Sequence, residues 1–210
     1  MEYTDKNFSS YRQPKKNIEI MTKVPVEKFI EGLNSISTDF SVENVFDFMA
    51  ETPVEAESLE PYLFFSHQCY TRNLIYKNEL FEVMAICWEV GQCSRIHNHH
   101  EQKCWMSVPI GKLKGQNFKQ LEIDESRGFC KIAETVDYEI SPKQPAKVEM
   151  DEPIHQIFNL PKYNERAVSL HVYSKPFDRC LIYSRPTNEI SEVQLFYASV
   201  YGKLCDGVKL

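Results

Sequence analysis

The hydrophobic pattern of the chain changes texture once, near Tyr70. Before it, Val26, Phe29, Leu33 and Ile36 recur at steps of three and four, the spacing of one helical face, and Pro25 is tolerated at a first turn. Ser41 is a candidate N-cap for a second helix with Val42, Val45, Phe46 and Met49 on one side. One or two further helical turns are expected between Pro53 and Phe65, and all of these helices are expected to pack rather than do chemistry. Beyond Tyr70, short runs rich in Val, Ile, Tyr and Phe alternate with turn residues, at 81–88, 105–110, 130–136, 146–150, 155–160, 167–173 and 180–183. Such runs, with no long helical period between them, predict an antiparallel β-sandwich or barrel. The segment 139–145 reads as a loop, and neither a repeat nor a low-complexity tract interrupts the pattern. The expected organisation is one domain, 1–210, with a helical segment over 1–65 and a β-barrel core over 66–210.

Composition narrows the class. A chain of 210 residues, 42% hydrophobic and 26% charged, is long enough for one well-buried core. A net charge of −6 without a Lys/Arg run argues against nucleic acid or an anionic membrane as partner. Met1 to Lys16 is polar and mixed in charge, unlike a secretion signal, and the longest apolar stretch, 84–88, is far too short to cross a bilayer. Seven irregularly spaced cysteines do not form a disulfide framework in a chain without a secretory signal. A cytoplasmic location is therefore expected. No C-x-x-C pair supports structural zinc.

The candidate chemistry centres on Gly91-Gln-Cys-Ser-Arg-Ile-His97-Asn-His99. Residues two apart on an extended strand face the same way, so His97 and His99 can share a cation. His155, at the start of a later strand, is the natural third imidazole. Gly91, His97-x-His99 and Gly111 resemble the first motif of the cupin superfamily, and His155-x-x-x-Asn159 the end of the second. Where many cupins place a ligating Glu this chain has Lys103 and Cys104, and Met150 and Glu152 stand in place of the second motif's Pro and Gly. Three neutral imidazoles leave Fe(II) its full charge and open positions for an anionic thiolate and O2 together; a carboxylate ligand suits oxygenases with other co-substrates.

Four blocks then make the chain resemble the cysteine dioxygenases, a thiol dioxygenase branch of the cupins. They are Tyr70-Thr-Arg-Asn-Leu74; Ile86-Cys-Trp88 with Gly91 to His99; Cys104 to Lys114; and Ala167-Val-Ser-Leu-His-Val-Tyr-Ser174 followed by Pro176-Phe-Asp178. The resemblance spans Tyr70 to Gly202. It implies a mainly β cupin (jelly-roll) fold preceded by short helices, and a non-haem iron enzyme that uses O2 to turn free L-cysteine into cysteine sulfinate. It makes His97, His99 and His155 the ligands of one Fe(II), and Arg72, with Tyr70 beside it, the clamp for the substrate carboxylate. A guanidinium fork suits that task. Ser169, His171 and Tyr173 alternate on one strand, so they face the same side, and the resemblance makes them a hydrogen-bonded chain ending near the iron. It also implies a Cys104–Tyr173 thioether as a protein-derived cofactor. Asn98 stands where the family commonly has Asp. Cys87 and Trp88 are expected to pack beneath the site. His67, His100 and the cysteines at 69, 87, 93, 130, 180 and 205 carry ordinary structural readings. The expected partners are L-cysteine and O2, with neither nucleic acid nor membrane, and the expected state is a monomer.

Two rival readings remain open from the sequence. Dioxygenases acting on 3-mercaptopropionate resemble this chain but usually have Gln where Arg72 stands and lack the equivalent of Cys104. A non-catalytic metal-binding cupin sensor is compatible with the fold, yet would not need Arg72, the Cys104–Tyr173 pair and the Ser169–His171–Tyr173 row together. Zinc hydrolysis lacks a general-base carboxylate in the motif.

Overall fold

The computed structural model describes residues 22–37, 40–142, 146–147, 154–208 and 210. Helices α1 (Val26–Ser35) and α2 (Val42–Glu51) lie where the three/four spacing puts them. Pro25 is the N-cap residue of α1, just before its first turn. Ser41 caps α2, its side chain accepting a hydrogen bond from the Asn44 N–H at 3.2 Å, which satisfies one of the unpaired donors at a helix start. The third helical segment is a 3-10 helix, Ala56–Tyr62.

The rest is strand and turn. In chain order the strands are β1 (Thr71–Lys77), β2 (Phe81–Trp88), β3 (Ile96–His97), β4 (Cys104–Ile110), β5 (Leu113–Asp124) and β6 (Phe129–Ile140). They continue with β7 (Ala146–Lys147), β8 (Ile154–Phe158), β9 (Ala167–Ser174), β10 (Arg179–Ser184), β11 (Glu189–Gln194), β12 (Ser199–Val200) and β13 (Lys203–Leu204). One sheet runs β13-β12-β1-β2-β9-β4-β7; the other strands close on themselves as β10-β11-β6-β5-β8-β3. The architecture is mainly β, a seven-stranded sheet and a closed six-stranded barrel, with short helices before them.

Strand β2 is buried from end to end because both faces of its sheet are covered. Val83, Ala85 and Cys87 point outward onto Val26, Phe29 and Leu33 of α1 and Val45 and Met49 of α2. Met84, Ile86 and Trp88 point inward onto Cys104, Met106, Val108 and Tyr173. An unbroken apolar run is what two-sided burial demands of a strand. Each large side chain on the outer face contributes roughly 1.5–3 kcal/mol by leaving water, so the helices act as a lid on the sheet's back. Removing one anchor, as in Phe29→Ala, is expected to cost about 3–5 kcal/mol.

Gly111 makes the β4–β5 turn possible: its φ is +72°, and a Cβ there would stand 2.5 Å from the Arg166 carbonyl oxygen. Only glycine meets both conditions.

Three of the longer strands do not stand out as runs in the sequence. β5 reads LKGQNFKQLEID, and its outer half is exposed; it holds as a strand because β6 pairs one edge and β8 the other. β1 and β11 are likewise additions to the expected set. β6 runs on to Ile140, so the start of the expected 139–145 loop is strand, extended by pairing with Leu113 and Lys114. Residues 143–145 and 148–153, which include the end of the predicted 146–150 strand, Met150 and Glu152, lie outside the described residues.

Candidate metal centre

The ladder register brings the site together. On β9, Ser169, His171 and Tyr173 take alternate positions and face inward with Met84 and Ile86 of β2. Three cross-strand rows result: Arg72, Ile86 and Ser169; Leu74, Met84, His171 and Met106; Glu82, Tyr173 and Cys104. Members of a row share a face.

His97 on β3 pairs directly with His155 on β8 and with Ile182 on β10. β3 ends at His97, and the chain turns through positive φ at His100 (49°) and Glu101 (65°), yet His99 still reaches the same point. The ring centroids stand 5.3 Å apart for His97–His99 and 4.7 Å for both His97–His155 and His99–His155. One ligand atom from each lies within 4.8 Å of the others. No carboxylate belongs to the cluster among the described residues.

The imidazoles are uncharged at neutral pH. Burial pushes His99 and His155 well below the ordinary histidine value, with further depression from the neighbouring rings. His97 falls to about 4, through lost hydration and then the Arg72 charge, against the opposing hydrogen bond to the Arg95 carbonyl. The His97 Nδ1–H donates to that carbonyl oxygen at 2.8 Å, which fixes the tautomer and leaves Nε2 as the free lone pair. Both ring nitrogens of His99 and Nδ1 of His155 are buried without a hydrogen-bond partner among the described residues. Buried orphaned imidazole nitrogens are costly unless they ligate something. Three neutral nitrogen donors with no acid among them fit a divalent transition metal such as Fe(II).

Beside the cluster runs a relay. The Trp88 Nε1–H donates to Ser169 Oγ at 2.9 Å, Ser169 Oγ pairs with His171 Nε2 at 2.8 Å, and His171 Nδ1 pairs with the Tyr173 hydroxyl at 3.0 Å. The Tyr173 ring lies 5.5 Å from that of His99. Burial drives His171 down to about 3 and holds the Tyr173 hydroxyl well above its ordinary value, with the Cys104 thiol adding to the rise. Burial likewise pushes the Cys104 thiol up, opposed by its contact with Tyr173. Arg72 is buried at 9% exposure, and its charge acts on His97, His99, His171 and Tyr173. The Tyr70 ring, one residue before β1, stacks on Trp88 at 4.6 Å.

Every expected site residue thus falls in one region. Cys87 does not lie beneath it: neighbours on a strand face opposite ways, so Trp88 faces the site while Cys87 packs on the helix side. Sequence reasoning assigned Trp88 only packing, but it anchors the relay. Phe177 was missed altogether; its ring stands 5.0 Å from Tyr173 and 6.2 Å from His99. The Pro176-Phe-Asp178 block was the available signal. Asn98 has a structural task. Its Oδ1 accepts from the Leu181 N–H at 3.0 Å and its Nδ2 donates to the Tyr183 hydroxyl at 3.3 Å, tying the turn that carries His97 and His99 to β10. Asn159 similarly ties β8 to the end of β2, donating to the carbonyls of Trp88 and Glu89 at 3.3 and 3.2 Å.

A cysteine dioxygenase type 1 from Danio rerio is 29% identical over 188 residues, which is 88% of this chain and 92% of its own. The cysteine dioxygenase type 1 of Homo sapiens is 30% identical over 165 residues, 78% of this chain and 80% of its own. Among solved structures, a double-stranded β-helix protein from Klebsiella pneumoniae aligns with a TM-score of 0.39 at 13% identity, over 66% of this chain and 88% of its own. The model of the family described as cysteine dioxygenase type I matches residues 16–186, and the chain belongs to that family.

Proposed function

We propose that this protein is a cysteine dioxygenase that adds both atoms of O2 to the sulfur of free L-cysteine, giving cysteine sulfinate, with one Fe(II) held by His97, His99 and His155. The observation that carries the reading is the convergence of three uncharged imidazoles, with no carboxylate in the cluster among the described residues, beside a buried arginine. Thiolate plus O2 gives sulfinate with charge conserved. The sulfur loses four electrons, dioxygen gains them, and no outside reductant is needed. When bound, Fe(II) supplies open coordination positions and the charge that keeps a thiol ionised at neutral pH.

The chain's own residues do the rest. Arg72 holds the substrate carboxylate in its guanidinium fork, with Tyr70 closing the pocket against Trp88. Tyr173, un-ionised at neutral pH, offers an O–H donor toward the reacting sulfur and oxygen. Neutral His171 accepts a hydrogen bond on one nitrogen and donates from the other, so it orients the Tyr173 hydroxyl, while Trp88 and Ser169 fix its ring. Burial of the row excludes water, which strengthens each of these contacts.

The same reading includes a Cys104–Tyr173 thioether. Its C–S bond replaces the thiol S–H and one ring C–H, releasing two protons and two electrons that dioxygen accepts. The direct pairing of the two residues on β4 and β9 supports it. We also assign the chain to a reducing cytosol, as a single-domain monomer over 1–210 with only small-molecule partners. All seven cysteines are free thiols, and one chain supplies every residue the reaction needs.

The test is aerobic incubation of Fe(II)-loaded protein with cysteine and, separately, 3-mercaptopropionate, following oxygen uptake and product mass. Stoichiometric cysteine sulfinate, abolished by His97→Ala, is the expected result. Preference for 3-mercaptopropionate would reassign the substrate, and absence of oxygen uptake at full iron occupancy would leave a binding protein.

A further inference from the structure

Glu82 is out of character with its surroundings. It occupies an inward position on β2, in series with Met84, Ile86 and Trp88, and is 0% exposed. Its Oε2 accepts a hydrogen bond from the Tyr197 hydroxyl at 2.6 Å. Its Oε1 has no hydrogen-bond partner among the described residues. Burying a carboxylate costs several kcal/mol, and a well-packed apolar side chain at such a position is often as stable or more so. Stability alone therefore does not account for an acid here.

What Glu82 holds is the ring beside the arginine. The Arg72 guanidinium carbon lies 5.5 Å from the centre of the Tyr197 ring, and the Lys77 ammonium 5.8 Å from it. A phenol that donates to a carboxylate is more electron-rich across its ring, and a cation over that face is held more tightly. The backbone ties the same two residues together: the Ala198 N–H donates to the Arg72 carbonyl at 2.7 Å, and Ser199 pairs with Asn73 across β12 and β1. Ser199 Oγ adds a hydrogen bond to Asn73 Oδ1 at 2.9 Å. The segment that carries Tyr197 is thus laced to β1 at Arg72 and at Asn73, the residue after it. Burial raises the Glu82 pKa above the ordinary carboxylate value, and the Tyr197 hydrogen bond, the Arg72 and Lys77 charges and the Phe177 backbone oppose that rise.

We propose that Glu82 is a positioning residue for the substrate-carboxylate clamp: through Tyr197 it fixes the aromatic face against which the Arg72 guanidinium rests, and so sets how sharply the site distinguishes a thiol bearing a carboxylate from one without. The proposal rests on Arg72 being that clamp. It extends the substrate selector beyond the residues that touch cysteine, to a Glu–Tyr pair on two other segments of the sheet.

The experiment compares cysteine with cysteamine, which has the same thiol and amine but no carboxylate. Anaerobic calorimetry on Fe(II)-loaded protein gives both affinities, and steady-state turnover gives KM and kcat for cysteine. The variants are Tyr197→Phe and Glu82→Gln, each alone and combined with Arg72→Ala. Both single variants are expected to weaken cysteine binding roughly five- to thirtyfold, to raise KM correspondingly, and to change kcat and cysteamine affinity by less than about twofold. Neither should weaken cysteine binding further once Arg72 is gone. Equal losses for cysteine and cysteamine, or losses that persist undiminished in the Arg72→Ala background, would overturn the proposal, because a merely structural role predicts them. If Arg72→Ala itself leaves the cysteine-to-cysteamine ratio unchanged, the clamp has failed and the positioning role falls with it. If Arg72→Ala collapses that ratio while both single variants keep it, the positioning role alone has failed.

Discussion

Cys104 and Tyr173 are direct partners across the β4–β9 ladder, on the same inward face and flanked by the buried His171. Opposed residues in an antiparallel pair bring their Cβ atoms to about 5 Å, so the register holds the two side chains next to each other. Neither side chain can leave, since both are almost wholly buried.

The covalent link that we propose has a mass signature. Intact protein exposed to cysteine, iron and air is expected to weigh two hydrogens less than fresh protein, with one tryptic species joining the two segments. Cys104→Ala should abolish the loss and lower kcat by about tenfold, whereas Tyr173→Phe removes the donor itself and should lower it by about 10²-fold. An unchanged mass in active protein would dispose of the thioether.

Arg72→Ala is expected to raise KM for cysteine roughly 10²-fold, the worth of a charge-assisted bidentate contact, while iron content measured by absorption spectroscopy stays at wild-type level. A KM within twofold of wild type would remove Arg72 from the substrate site.

Iron binding should stabilise the fold through the three histidines. At free Fe(II) a hundredfold above its Kd the gain is about 2.7 kcal/mol, a rise in Tm of about 5–10 °C for a chain of this size. His155→Ala should erase most of that rise in differential scanning calorimetry. A full thermal shift in the variant would mean the ligand set is wrong.

The metal-free protein should lose stability on acidification. His171 falls from an ordinary value of 6.5 to about 3, and His99 and His155 are also held far down. Below pH 6.5 the unfolded chain takes up protons that the folded one refuses, so stability present above 6.5 drains away as pH falls. The slope is about 1.4 kcal/mol per pH unit for each such histidine. Urea unfolding at pH 7.5, 6 and 5 checks this, and His171→Gln should flatten the slope by one proton. A midpoint constant over that range would contradict the burial.

Much of the site is readable without any knowledge of the fold. His97-x-His99, the missing acid at Cys104, Arg72 in its Tyr-Thr-Arg-Asn block and the alternation Ser169, His171, Tyr173 are local patterns, and local patterns survive in a string of letters. The two packing helices are legible for the same reason, since a period of three and four needs no partner to be seen. β5 is not. Its first half, Leu113 to Asn117, is a run of Leu, Lys, Gly, Gln and Asn with little strand preference, and it becomes strand through pairing on both edges.

From the letters, and the family resemblance they carry, came the residues able to do chemistry and, for most of them, the strand that carries them. It took the folded molecule to reveal that Trp88 anchors the relay, that Phe177 borders His99, that Asn98 serves as a tether, and that Glu82 and Tyr197 back the arginine. Most of these roles join residues far apart in the chain: Trp88 and Ser169 are 81 positions apart, Asn98 and Leu181 83, and Tyr197 and Glu82 115. Strand order and register, which no local period encodes, set them side by side.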